Sequence, residues 1–247
     1  MYLRNENYPM KIKSTKIHWK SIVLFYAIAL CLRAIVLNFE SHEDSTITFW
    51  TWGMAEGIGP CLGAIAAVML FKRKFYCTIT GISLVKSIMT IVIPVIVCFI
   101  LDQRLSLTLL GFIVYSFLEE AGWRGYLQEE LKELNQPLQV FIVGTMWFLW
   151  HLTIGFNMSG LIFWGLLLFG AWGIGNVARD TRSLAVCACF HTLYNFSAHG
   201  YFQFTPIVIV IYVAIIVSWI VIWKSEFSSK KLKFGKNFLI NDKNWEI

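Results

Sequence analysis

The chain has 247 residues, of which 57% are hydrophobic, 16% aromatic and only 15% charged, with a mean hydropathy of +0.62. Soluble domains are about half apolar and about a quarter charged, so this composition excludes a disordered chain, a coiled coil and an ordinary cytosolic enzyme. It also excludes a short, cysteine-dense secreted scaffold. The net charge of +6 and a pI near 9.0 raise the question of nucleic acid. The basic residues flank apolar runs, however, where membrane topology and anionic lipid account for them, so no nucleic-acid partner is expected.

In chain order, a polar N-terminal tail over residues 1–20 carries Arg4, Lys11, Lys13, Lys16 and Lys20. Eight apolar segments follow, at 21–39, 49–71, 84–101, 107–128, 138–154, 160–177, 184–200 and 205–223. A membrane-spanning helix needs roughly 20 mostly apolar residues, so eight would use about 160 of the chain. The expected fold is all-α: a polytopic membrane protein with a bundle of about eight transmembrane helices over 21–223. No small-residue cleavage site follows the first apolar run, so 21–39 reads as a retained span. A second basic tail covers 224–247, and the whole reads as a single transmembrane domain with the polar site inside the bundle.

Charge placement gives an independent check. With both termini cytoplasmic, 19 of the 21 Lys and Arg residues fall on the inner side, and only Arg104 lies in an outer loop. Arg33 lies within the first span, and the first outer loop holds Glu40, Glu43 and Asp44. That asymmetry is the one expected of cytoplasmic loops. The second segment carries Gly53-x-x-x-Gly57 and Gly59-x-x-x-Gly63, small residues that let helix backbones approach within the bundle. The six cysteines have no CxxC spacing, and Cys187-x-Cys189 is read as packing.

Ionisable groups in a bilayer are costly and mark function by default. The fourth segment ends with Glu119, Glu120 and Arg124, the fifth holds Trp147-x-x-x-His151, and the seventh holds His191-x-x-x-Asn195. Glu119 lies 16 residues before a turn near Asn135, and His151 lies 16 after it. At 1.5 Å per residue both sit roughly 24 Å from the turn, level with each other if the helices are antiparallel neighbours. His191 and Asn195 fall roughly 17 and 23 Å beyond the next inner turn. Glu120 and Arg124 share a face and can pair, while Glu119 points about 100° away. His191 and Asn195 are also four apart, so their side chains can project together into one cavity.

No covalent nucleophile stands out: GxSxG, HExxH and GxGD are all absent. The set suits an activated water. A carboxylate beside a histidine can deprotonate water as it attacks a carbonyl, and a histidine with an asparagine amide can donate to the oxyanion. Carboxylates and two histidines holding a metal are the other route to the same hydrolysis.

Glu-Glu-x-x-x-Arg at 119–124, aromatic-x-x-x-His at 147–151 and His-x-x-x-Asn at 191–195, in this order on apolar helices, resemble the CPBP (ABI) family of intramembrane proteases. These are related to the type II CAAX prenyl endopeptidases. The resemblance implies a core over about 107–200. It implies that Glu119 and His151 position and deprotonate water, that His191 and Asn195 stabilise the oxyanion, and that Glu120 and Arg124 support them. It leaves the metal open. If zinc is bound, Glu119, His151 and His191 are the ligands, but Asn195 suits an oxyanion hole better than a zinc site. Trp147 stands where the family usually has Phe, which keeps an aromatic and leaves the chemistry intact.

The expected activity is hydrolysis of membrane-associated peptides or proteins by a multi-pass protein of a bacterial plasma membrane, surrounded by lipid. Nothing in the sequence reads a prenyl group. The alternative is a non-catalytic membrane scaffold or bacteriocin-immunity protein that keeps the fold. A transporter would need broken helices and inverted repeats, and neither is found. Outside the set, Arg33 and Glu56 are expected near the outer ends of their spans, either paired or snorkelling. His18 and His42 belong to no constellation, while His199 continues the face of His191 and Asn195 one turn further out and is read as a wet histidine at the outer membrane edge rather than the lining of an entrance.

Overall fold

Five of the helices begin where a side chain takes over an orphan backbone donor. Ser83, Asp102, Asn135, Asn157 and Thr205 each accept from an N–H of the first turn, which satisfies a group the helix itself cannot. The computed structural model describes residues 17–39, 46–153, 155, 157–198 and 205–225, with side chains omitted at 39, 46–53, 197 and 198. The tails, the loop holding His42, Glu43 and Asp44, and His199 lie outside the described residues.

Eight helices are present among the described residues: α1 (Trp19–Phe39), α2 (Thr46–Phe71), α3 (Leu84–Leu101), α4 (Gln103–Glu130), α5 (Gln136–Trp150), α6 (Met158–Thr181), α7 (Leu184–Ala198) and α8 (Pro206–Lys224). All except α5 and α7 are long and apolar enough to cross a membrane. α5 and α7 have 15 residues each, about 22 Å of helix against a hydrocarbon core of about 30 Å. The outer surface is apolar, with Met69, Leu70, Ile100, Phe169 and Ile207 well exposed, as a lipid-facing surface requires. The chain is an integral, multi-pass helical membrane protein.

α4 is the most buried of the six spans and separates two cores. On one side α1, α2, α5 and α6 enclose Phe25, Ala64, Trp123 and Trp150. On the other, α3, α7 and α8 close over Phe112, Cys189, Phe196 and Trp219. The small residues of α2 serve this packing. A Cβ at Gly63 would stand 2.4 Å from Phe25 O on α1, one at Gly59 3.0 Å from Ala29 O, and one at Gly57 2.9 Å from Tyr115 O on α4.

Two features depart from the sequence reading. Within α4, Ala121–Leu127 is π-helical, and at its start Gly122 abuts α2, where a Cβ would come 2.6 Å from Pro60. A π turn is wider than an α turn and advances less per residue. The fifth helix ends at Trp150, not 154. His151 caps it, Leu152 takes φ 59°, and the Thr153 N–H donates back to His151 O at 2.7 Å.

One end of the bundle is stitched together by loops. Thr78 exchanges backbone bonds with Arg182 and Leu184, and Ile82 N–H donates to Thr181 O. This clamps the α2–α3 connection onto the α6–α7 turn, which starts the helix carrying His191. Arg73 Nε donates to Glu130 Oε1 at 2.8 Å, Ser21 and Tyr126 share a hydroxyl–hydroxyl bond, and Lys86 Nζ donates to Trp223 O and Ser225 O. The expected inner segments therefore gather at one end.

Candidate active site

α4, α5 and α7 supply the polar residues, and α4 does so from the junction between its α-helical and π-helical parts. Glu119 and Glu120 end the regular helix and Arg124 sits in the π turn. Glu119, Glu120, Arg124, His191 and Asn195 are all buried, and His151 is half-buried.

Glu120 has two partners. Arg124 Nε lies 3.2 Å from its Oε2, the pairing expected of residues four apart, and His191 Nδ1 lies 3.0 Å from its Oε1. The second contact crosses from α7 and was not legible in the sequence. It fixes the His191 ring and presents Nε2 on the opposite edge. Arg124 lies over the Trp147 ring, with its guanidinium carbon 5.0 Å from the centroid.

Glu119 is held by two indoles. Trp147 Nε1 donates to its Oε2 at 2.9 Å, and Trp123 Nε1 donates to the same oxygen at 3.3 Å. Both indole bonds fall on Oε2, so Oε1 carries neither. These bonds were missed in the sequence, although Trp123 lies four residues beyond Glu119. That spacing marks a shared face but not which atom bonds.

His151 Nδ1 lies 2.8 Å from Trp147 O, a contact in which the ring donates to a carbonyl. The unprotonated nitrogen of the neutral ring is then Nε2. Phe163 stands edge-on at 4.9 Å between centroids. Glu119 and His151 form no direct ion pair, but they are close enough to interact electrostatically. The level partner of Glu119 is thus Trp147, one turn before His151. The π turn shortens α4 relative to a regular helix, which displaces the expected register.

Arg33 and Glu56 do pair, at 2.6 Å, and Arg33 does not snorkel. It is 6% exposed, its Nε is 3.4 Å from His151 O, and it stacks on Trp150 at 5.1 Å. A cation is favourable at this helix C-terminus. His18 packs against Phe71, remote from the set.

Among the described residues no three His, Cys, Asp or Glu side chains converge as a metal-ligand set. His191 Nδ1 is turned to Glu120, His151 Nδ1 to its own helix, and Glu119 Oε2 to two indoles. These contacts leave His191 Nε2, His151 Nε2 and Glu119 Oε1 outside them, and a histidine whose Nδ1 is held by a carboxylate or a carbonyl is oriented as a metal ligand is, so the arrangement leaves the metal open.

Residues 101–197, which carry all three motifs, match the family model described as type II CAAX prenyl endopeptidase Rce1-like. Lysostaphin resistance protein A of Staphylococcus haemolyticus is 23% identical over 209 residues, covering 72% of this chain and 56% of that protein. The chain thus spans little more than half the length of this curated relative. The match is thus a similarity to the type II CAAX prenyl endopeptidases over residues 101–197. The CPBP resemblance read from the three motifs is borne out by both comparisons, with the family match centred on α4, α5 and α7.

Proposed function

We propose that the protein is an intramembrane endopeptidase that hydrolyses membrane-associated peptides or proteins with a water activated by Glu119 and His151. The observation that carries the reading is their presentation. One oxygen of Glu119 is committed to indole donors, and His151 exposes Nε2 across a gap too wide for direct pairing. A water between them can pass its proton to this pair as its oxygen attacks the scissile carbonyl. His191, turned by Glu120, offers Nε2 to the developing oxyanion, donating in its protonated form, and Asn195 one turn further offers an amide donor. Collapse of the tetrahedral intermediate breaks the C–N bond, and the proton taken from water goes to the leaving amine.

The inner end of the bundle is assigned to the cytoplasm of a bacterial cell. Substrates reach the site from the half-buried His151 side. The test is cleavage of pooled membrane-anchored and prenylated peptides by lipid-embedded protein. His151→Ala, folded as wild type, is expected to release no products, and metal-free protein after chelator treatment is expected to keep cleaving. Products from the His151→Ala protein would refute the assignment.

The relative named for lysostaphin resistance favours a second reading, a non-catalytic scaffold or immunity protein. Under it, Glu119→Gln and His151→Ala would leave biological activity intact.

A further inference from the structure

We infer that Trp147 is the positioning residue of this site, setting Glu119 with its side chain and His151 with its backbone. The inference rests on the proteolytic reading above and adds a residue to it. Trp147 is 3% exposed and meets four of the six polar residues. Its Nε1–H donates to Glu119 Oε2 at 2.9 Å, and its carbonyl lies 2.8 Å from His151 Nδ1. Its ring stands edge-to-face with His191, 4.9 Å between centroids at 82°, and beneath the Arg124 guanidinium at 5.0 Å.

The backbone makes this residue necessary. α5 packs chiefly along α6, and its backbone makes few close approaches to α4 or α7. The link from α5 to Glu119 and His191 therefore runs through a side chain, and Trp147 is the one that spans the gap. α6 is cut to receive it. Gly170 faces the far edge of the indole, where a Cβ would stand 3.3 Å from Cζ3 and 3.8 Å from Cη2. A methyl group there would press the ring by a few tenths of an ångström toward the polar cluster.

The chemical content lies in one hydrogen. A charge-assisted bond at 2.9 Å holds a carboxylate far better than packing does. The second indole, Trp123, reaches the same oxygen only at 3.3 Å. With Oε2 tied on both sides, carboxylate rotation is blocked and Oε1 keeps one orientation toward the water. A phenylalanine would preserve the contacts with His191 and Arg124 but supply no donor, so the sequence expectation that either aromatic leaves the chemistry intact does not carry over to this chain. The effect of losing it belongs in kcat, because the bond orients a reacting group and touches no substrate.

The experiment uses the full chain in lipid nanodiscs with indole-15N tryptophan. Trp147→Phe is expected to fold as wild type and to lower kcat roughly tenfold at unchanged KM. The indole resonance that disappears in Trp147→Phe is expected to move in Glu119→Gln. Gly170→Ala is expected to move the same resonance and to lower kcat with KM unchanged, which keeps the inference exposed if Trp147→Phe fails to fold. Wild-type kcat in folded Trp147→Phe, or a resonance indifferent to Glu119→Gln, would overturn it. Full cleavage by Glu119→Gln would instead overturn the Glu119-activated water of the proposed function, and the resonance would still decide whether Trp147 holds Glu119.

Discussion

Glu120 serves Arg124 and His191 with one carboxylate, and its neighbourhood is sealed. Arg124 and Glu120 are both fully buried, so removing one partner leaves an uncompensated charge in a dry interior, at a cost of about 3–5 kcal/mol. Arg124→Met is expected to lower stability by that amount in denaturant titrations in detergent. The double variant Glu120→Gln/Arg124→Met is expected to recover much of the loss; additive losses would show that the two do not act as a pair. A second residue-scale prediction concerns Cys77 in the α2–α3 connection. Burial pushes its thiol up to about 12, so at pH 8 the thiolate, the reactive form, is scarce. Raising the pH toward 12 restores it. Peptide mapping after maleimide treatment at pH 8 should find Cys77 unmodified in native protein and modified in denaturant. Modification of the native protein would contradict its burial.

At the scale of elements, the site depends on short connections that hold helix ends. Gly81 takes φ 62°, and a Cβ there would lie 2.0 Å from Thr181 O and 2.7 Å from Ser183. Gly81→Ala is therefore expected to cost roughly 1–3 kcal/mol and to lower activity by loosening the start of α7. Gly165→Ala, where nothing lies within 4 Å, is expected to be neutral or slightly stabilising. Thermal unfolding of the two variants side by side separates them, and equal effects would refute the clamp. Most helices were legible because apolar runs and capping residues mark them: 84–101 matches α3 end to end, and Asn135-x-Pro137 announces α5. The π turn was not, since its geometry comes from packing Gly122 on α2 rather than from local periodicity. The same limit governed the site. The Glu120–Arg124 pair follows from spacing within one helix, whereas Glu120–His191 and Glu119–Trp147 join different helices, and their register passes through the π turn.

At the scale of the molecule, six apolar spans support two short helices; His151 sits where α5 ends, His191 midway along α7, and the carboxylates within the long α4. A 15-residue helix carries His151 on its C-cap, so the chain turns at membrane depth instead of at the far surface. The stitched end gathers Lys72, Lys74, Arg179 and Arg182, which predicts the cytoplasmic face. Membrane-impermeant labelling of single cysteines tests this. Lys74→Cys and Lys132→Cys, both exposed, are expected to react only from the cytoplasmic side, and Gln103→Cys, also exposed, only from the other; labelling of all three from one side would overturn the topology.

The central claim is that Glu119 makes the protein a protease. It is tested most directly by exposing a library of membrane-anchored and prenylated peptides to wild-type and Glu119→Gln protein in lipid, with products read by mass spectrometry. The account predicts wild-type products that are missing from an equally folded Glu119→Gln protein. Cleavage undiminished in Glu119→Gln would contradict it.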